Sequence, residues 1–182
     1  MAWGIFPILL AIKGFTIGEI GIITAIYPAV WGIGQLFTGR MADKFCKKDM
    51  LYIGMLLQAI ALIVLIWANT MLHFAILSFI LGWGTAMVYP TFLATVAENT
   101  NPQDRAKSIG IFRLWRDLGY AIGAIFTGIM ADLISMNASI IFIGLITLLS
   151  AFIIRYRMKC KLYDSLKIWN WITNKHKQHA GA

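Results

Sequence analysis

Three ionisable residues, Arg113, Arg116 and Asp117, stand within an otherwise largely apolar stretch at 106–131. An acid held inside a membrane segment is expensive and faces a cavity or a charged partner. Arg113 and Asp117 are four apart, the spacing that puts two side chains on one helical face, so they are expected to pair. Asp117 is then either a protonation site or substrate contact, or one member of a structural pair near the interface. Tyr27, Trp31 and Gln35 recur every four residues and share a face. Trp83 and Tyr89 flank the middle of another run, which Gly82, Gly84 and Pro90 are expected to loosen, and Tyr120 follows Asp117 by three. Such side chains line a pathway for a solute, or pack and face lipid. Gly119 and Gly123, also four apart, suit close helix packing.

No Ser-His-Asp set, paired carboxylates, Gly-rich phosphate loop or His/Cys cluster is present, so an enzyme, a bound metal and a cofactor have no residues to rest on. Cys46 and Cys160 are far apart in the chain and imply neither a disulfide framework nor a metal-ligand spacing. Glu19 and His73 fall at segment ends, where capping accounts for them.

The elements that must position these residues are membrane helices. Of 182 residues, 59% are hydrophobic and 13% charged, with a mean hydropathy of +0.74, which excludes a soluble globular domain. The apolar runs are too long for barrel strands and lack their alternation, so an all-α membrane protein is expected. Helices are predicted at about 2–13, 19–42, 50–68, 72–97, 106–131 and 139–154, the first too short to span a hydrocarbon core of roughly 30 Å. The run at 43–49 is expected to form a basic turn.

Where the charge falls sets orientation. Placing alternate connections on opposite sides puts fifteen of the sixteen Lys and Arg on one side and Lys13 alone on the other. That is a positive-inside pattern, with the basic end and the C-terminus cytoplasmic. It accounts for the formal charge of +8 without a nucleic-acid partner. The tail at 156–182 is basic, and Leu162, Leu166, Trp169 and Ile172 form a stripe that suits a helix in the interface, or else a solvated tail.

Residues 33–43 read IGQLFTGRMAD and residues 122–132 read IGAIFTGIMAD, identical at eight of eleven positions. The copies lie three crossings apart and must therefore point in opposite directions. Opposed copies mark inverted-repeat transporters, whose solute site lies near the midplane.

Gly39-Arg40-Met41-Ala42-Asp43-Lys44-Phe45-Cys46-Lys47-Lys48 resembles the loop signature of the major facilitator superfamily, and the stretches 1–7, 27–36 and 112–123 are similar to the carboxyl-terminal half of its bacterial members. The resemblance covers about 1–155. It implies one six-helix half, made of two inverted three-helix repeats with a truncated first helix, in a bacterial inner membrane. It also implies that Gly39, Arg40, Asp43, Lys44, Lys47 and Lys48 form a charge latch to the opposite half; a solvated turn that only sets topology is the plainer alternative. Cys46 stands where the signature has Gly, so a turn with positive φ there would be strained. The implied function is alternating-access transport of a small solute or ion, with a missing amino-terminal half or a second copy of the chain as partner in the bilayer. A noncatalytic remnant or accessory protein and a homodimeric small transporter are the alternatives.

Overall fold

A computed structural model describes residues 5–160, so the tail stripe at 162–172 and the first four residues lie outside the described residues. Among the described residues there are six α-helices and no strand: α1 (Ile5–Ile12), α2 (Ile17–Lys44), α3 (Lys47–Val64), α4 (Met71–Glu98), α5 (Arg105–Leu133) and α6 (Met136–Arg157).

Local sequence sets the helix starts. Thr16 opens α2 with a reciprocal cap: the Glu19 amide donates to Thr16 Oγ1 at 3.4 Å and the Thr16 amide donates to Glu19 Oε2 at 2.8 Å. Thr70 and Ser135 cap α4 and α6 by accepting from the amides of His73 and Ala138. The α1–α2 turn passes through Gly14 at φ +86°, a conformation that favours glycine. At the other end of the molecule the expected basic turn is mostly helical. Only Phe45 and Cys46 separate α2 from α3, because Lys44 in a last turn and Asp49 in a first turn both suit the helix dipole. Cys46 sits at φ −62°, so the strain expected from replacing a glycine is absent.

Contacts between helices fix their directions. Tyr27 lies against Gly82 and Gly34 against Ala86, so α2 and α4 run the same way. Gly54 meets Gly84 and Val88 while Gln58 meets Gly84, and Phe92 meets Phe112 while Tyr89 meets Arg116, so α3 and α5 both run against α4. The two sequence copies therefore run in opposite senses on α2 and α5. They carry matching residues: Thr38 and Thr127 are both buried, and each hydroxyl donates to the carbonyl four residues back, Gly34 and Gly123. Thr38 Oγ1 also reaches the Ala86 carbonyl of α4 at 2.6 Å. On the other copy, Ser139 of α6 donates to the Thr127 carbonyl at 2.9 Å.

Glycine makes the tightest seams. A Cβ at Gly84 would stand 2.8 Å from the Gly54 carbonyl oxygen, one at Gly82 would stand 2.7 Å from that of Tyr27, and one at Gly144 would meet the Ile63 side chain at 2.8 Å. Gly82 and Gly84 thus lock α4 to its neighbours instead of loosening it. Gly119 and Gly123, expected to pack closely, face open space within the chain.

The basic end is tied by three links. Cys46 and Cys160 form a disulfide, with Cα atoms 5.6 Å apart, which the sequence separation of 114 had concealed. Lys47 pairs with Glu98, and Arg155 with Asp49 at 3.2 Å. At the opposite end, Lys13 donates to the Ala68 carbonyl and to Asn69 Oδ1.

Large apolar side chains cover the outside: Leu36 is 71% exposed, Trp115 71% and Leu133 79%. Water would not tolerate so wide an apolar surface, and α2, α3, α4 and α6 are each long and apolar enough to cross a membrane. α5 has the length, but its first half carries Arg105, Lys107, Arg113, Arg116 and Asp117.

Candidate functional site

The sequence-selected residues fall into three groups. The first assembles where α2, α4 and α5 meet. Tyr89 lies nine residues from the end of α4 and Arg116 eleven from the start of α5, about 14 and 17 Å along their axes, so this group is well inside the helices. The Arg116 guanidinium stands over the Tyr89 ring, 5.1 Å from its centroid, and 6.0 Å from the Tyr120 centroid. Arg116 Nε donates to Asp117 Oδ1 at 2.8 Å.

The expected Arg113–Asp117 pair is therefore replaced. Asp117 accepts from its chain neighbour, because the rings of Tyr89 and Tyr120 hold the Arg116 head beside it in a cation–π arrangement. Arg113 is exposed.

Trp31 extends the group onto α2. Its ring meets Tyr89 edge-on at 5.9 Å and Tyr27 at 6.3 Å. The Trp31 indole N–H is buried, with no acceptor among the described residues. The Tyr27 hydroxyl lies 3.2 Å from Thr85 Oγ1, whose own proton goes to the Leu81 carbonyl, so Tyr27 is the donor. Thr85 is a site neighbour that sequence reasoning missed, although its position four before Tyr89 placed it on the right face. Gln35, one turn beyond Trp31, is partly exposed.

Trp83 belongs elsewhere. Six residues turn a helix by about 240°, so Trp83 and Tyr89 cannot share a face. Trp83 stacks on Phe79 with ring centroids 6.3 Å apart and packs beside Gly34 and the buried Ala42–Met50–Met87 cluster.

The third group is the loop signature. Gly39 has open space around it, Arg40 and Lys44 are exposed in the last turns of α2, and Lys48 opens α3. Lys47 is engaged by Glu98 within the chain. Asp43 lies in the last turn of α2. Sequence reasoning missed the pairs Lys47–Glu98 and Arg155–Asp49; of these only Asp49, an acid beside the basic run, carried a local signal.

The site opens outward. The Arg116 side chain is 25% exposed and that of Asp117 60%, and Tyr120 is 59% exposed. α5 buries only Thr127 among its own residues, so most of its surface is uncovered by the other described residues. A charged pair presented with aromatic rings can hold a polar solute by hydrogen bonds and stacking; among the described residues no group of three His, Cys, Asp or Glu could hold a metal.

Comparison with known proteins identifies the family. The family model described as Major Facilitator Superfamily matches residues 1–162. An MFS-type transporter of Methanocaldococcus jannaschii is 26% identical over 171 residues, covering 90% of this chain and 44% of that protein. The inner membrane transport protein YnfM of Escherichia coli is 24% identical over 147 residues, covering 81% of this chain and 35% of that protein. The chain thus spans less than half the length of either relative. With its apolar helices, its opposed sequence copies and this family match over most of its length, the chain is a multi-pass membrane protein of the major facilitator superfamily.

Proposed function

We propose that the chain is one six-helix half of a secondary transporter that moves a small solute across a bacterial inner membrane by alternating access. The observation that carries this reading is the Arg116–Asp117 pair, far from the helix ends on a helix whose surface is mostly uncovered by the other described residues. Charges at such depth face a partner or a water-filled cavity, because lipid does not solvate them. A second six-helix body, supplied as another half or as a second copy, would close the α2 and α5 faces and leave the solute site between the bodies near the midplane. In this arrangement the basic end and the C-terminus are cytoplasmic. Arg40, Asp43, Lys44 and Lys48 are then placed to latch onto the opposite body, with Lys47 already held by Glu98. Proton or ion coupling would use Asp117, the one acid of the group.

Crosslinking in membranes tests the partner. A benzophenone side chain replacing Ala124, which is exposed and lies four residues beyond Tyr120 and seven beyond Asp117 on the same helical face, is expected to form protein adducts. Adducts with lipid alone would overturn the reading. For the latch, Asp43→Asn in a transporting assembly is expected to change the rate, and an unchanged rate would refute it.

A further inference from the structure

We propose that the Arg116 cage takes a small organic anion: a single carboxylate on an aromatic or short apolar body. The inference rests on the transport reading above and names its substrate class.

Charge comes first. α2, α4 and α5 carry the carboxylates Glu19, Asp43, Glu98, Asp117 and Asp132, and all but Asp117 lie in the first or last turns of their helices. At the level of the cage, Asp117 is offset by Arg116, and Arg113 one turn earlier leaves one uncompensated positive charge. A cation entering here would meet two guanidinium groups and a carboxylate already engaged at 2.8 Å. A monoanion meets a matching charge.

Geometry agrees. Asp117 occupies Nε of Arg116 and the Tyr89 hydroxyl also accepts from the guanidinium, which together orient it and still leave N–H donors on the edge formed by its two terminal nitrogens. That edge is the fork that binds a carboxylate bidentately. The guanidinium is backed by Tyr89 and flanked by Tyr120, and Trp31 stands edge-on behind Tyr89, so a ligand headgroup on Arg116 places its body among aromatic rings. The Trp31 N–H, on the α2 side of Tyr89, is a separate buried donor whose acceptor is missing among the described residues. An unsatisfied buried donor costs about 1–3 kcal/mol and calls for an explanation. The terminal N–H groups of Arg116 ask for an acceptor-only headgroup, which is what a carboxylate is.

The test is equilibrium dialysis of the full chain in detergent micelles against radiolabelled benzoate, with benzylammonium and benzamide as competitors of the same shape. Saturable benzoate binding is expected, with no competition from benzylammonium. Arg116→Gln should weaken binding about tenfold or more, and Arg116→Lys should restore part of it. No saturable benzoate binding by the parent chain, or equal competition by benzylammonium, overturns the proposal whatever the variants do. Unchanged binding in Arg116→Gln overturns it as well. Flux into vesicles separates the two readings: benzoate binding without flux alongside any partner body sinks the transport reading alone, and flux confined to cations or neutral solutes sinks the anion site alone.

Discussion

Gly84 and Gly123 are both helical glycines, and replacing each by alanine should move stability in opposite directions. At Gly84 the new methyl would stand 2.8 Å from the Gly54 carbonyl oxygen and 2.9 Å from Gln58 Cγ. Carbon–oxygen contacts settle near 3.3–3.6 Å, so α3 and α4 must part by roughly half an ångström along the seam. The nearest obstacle is backbone and cannot rotate aside. Overpacking of this kind costs about 1–3 kcal/mol, against a gain of roughly 0.5–1 kcal/mol from replacing glycine in a helix. The net loss is about 1–2 kcal/mol, and at roughly 2–4 °C per kcal/mol for a chain of this size Tm should fall by several degrees. Gly123 has nothing within 4 Å, so only the propensity gain remains and Tm should hold or rise slightly. Thermal unfolding of the full chain in micelles, followed by circular dichroism, reads both. A Gly84→Ala chain that melts with the parent, or a Gly123→Ala chain that drops as far as Gly84→Ala, would refute the packing assigned to these helices.

The interhelical hydrogen bonds should be worth less than the glycine seam. Thr38→Val, which removes the bond to the Ala86 carbonyl while keeping the shape, is expected to cost about 0.6–1.7 kcal/mol in the same melt, and a stability gain would contradict the assigned bond. Ser139→Ala should cost a similar amount through the Thr127 carbonyl, so equal melting of parent and variant counts against that contact. After reduction, mild oxidation should close the Cys46–Cys160 link again within one chain and speed its migration on a non-reducing gel; Cys160→Ser should abolish the change, and disulfide-linked dimers would point to a different placement of the two ends. Lys47→Ala removes an exposed ion pair and should shift stability by no more than about 1 kcal/mol, with a larger drop in the melt ruling out a merely superficial role.

The helical class, the opposed copies and the family were legible in the sequence because each rests on a signal carried along the chain. Apolar length marks a membrane helix, and 33–43 against 122–132 is read by direct alignment. What stayed hidden depends on which faces meet. Gly82 and Gly123 are the same residue in similar surroundings, yet one touches backbone and the other open space. Spacing alone made Arg113 the partner of Asp117; two tyrosines, one on α4 and one a turn further along α5, decide for Arg116. Trp83 and Tyr89 looked like companions until α2 was seen to contact both, on different faces. The Cys46–Cys160 link could not be inferred from two distant cysteines, since it depends on α3 starting beside the end of α6.

The unequal seams have a mechanical consequence. Where glycine brings backbones into contact, as between α2, α3 and α4, neighbouring helices have no slack, and a push on one is carried by all three as by a single block. α5 is held differently, by ring pairs such as Phe92–Phe112 and Phe126–Phe142, by the guanidinium over Tyr89 and, toward its end, by the Ser139–Thr127 hydrogen bond. Flat surfaces of this sort can slide or tilt by an ångström and keep most of their attraction. Motion in this chain should therefore concentrate at the α5 seam, where Arg116 would swing relative to Tyr89 and Trp31 while the glycine-bound block stays still.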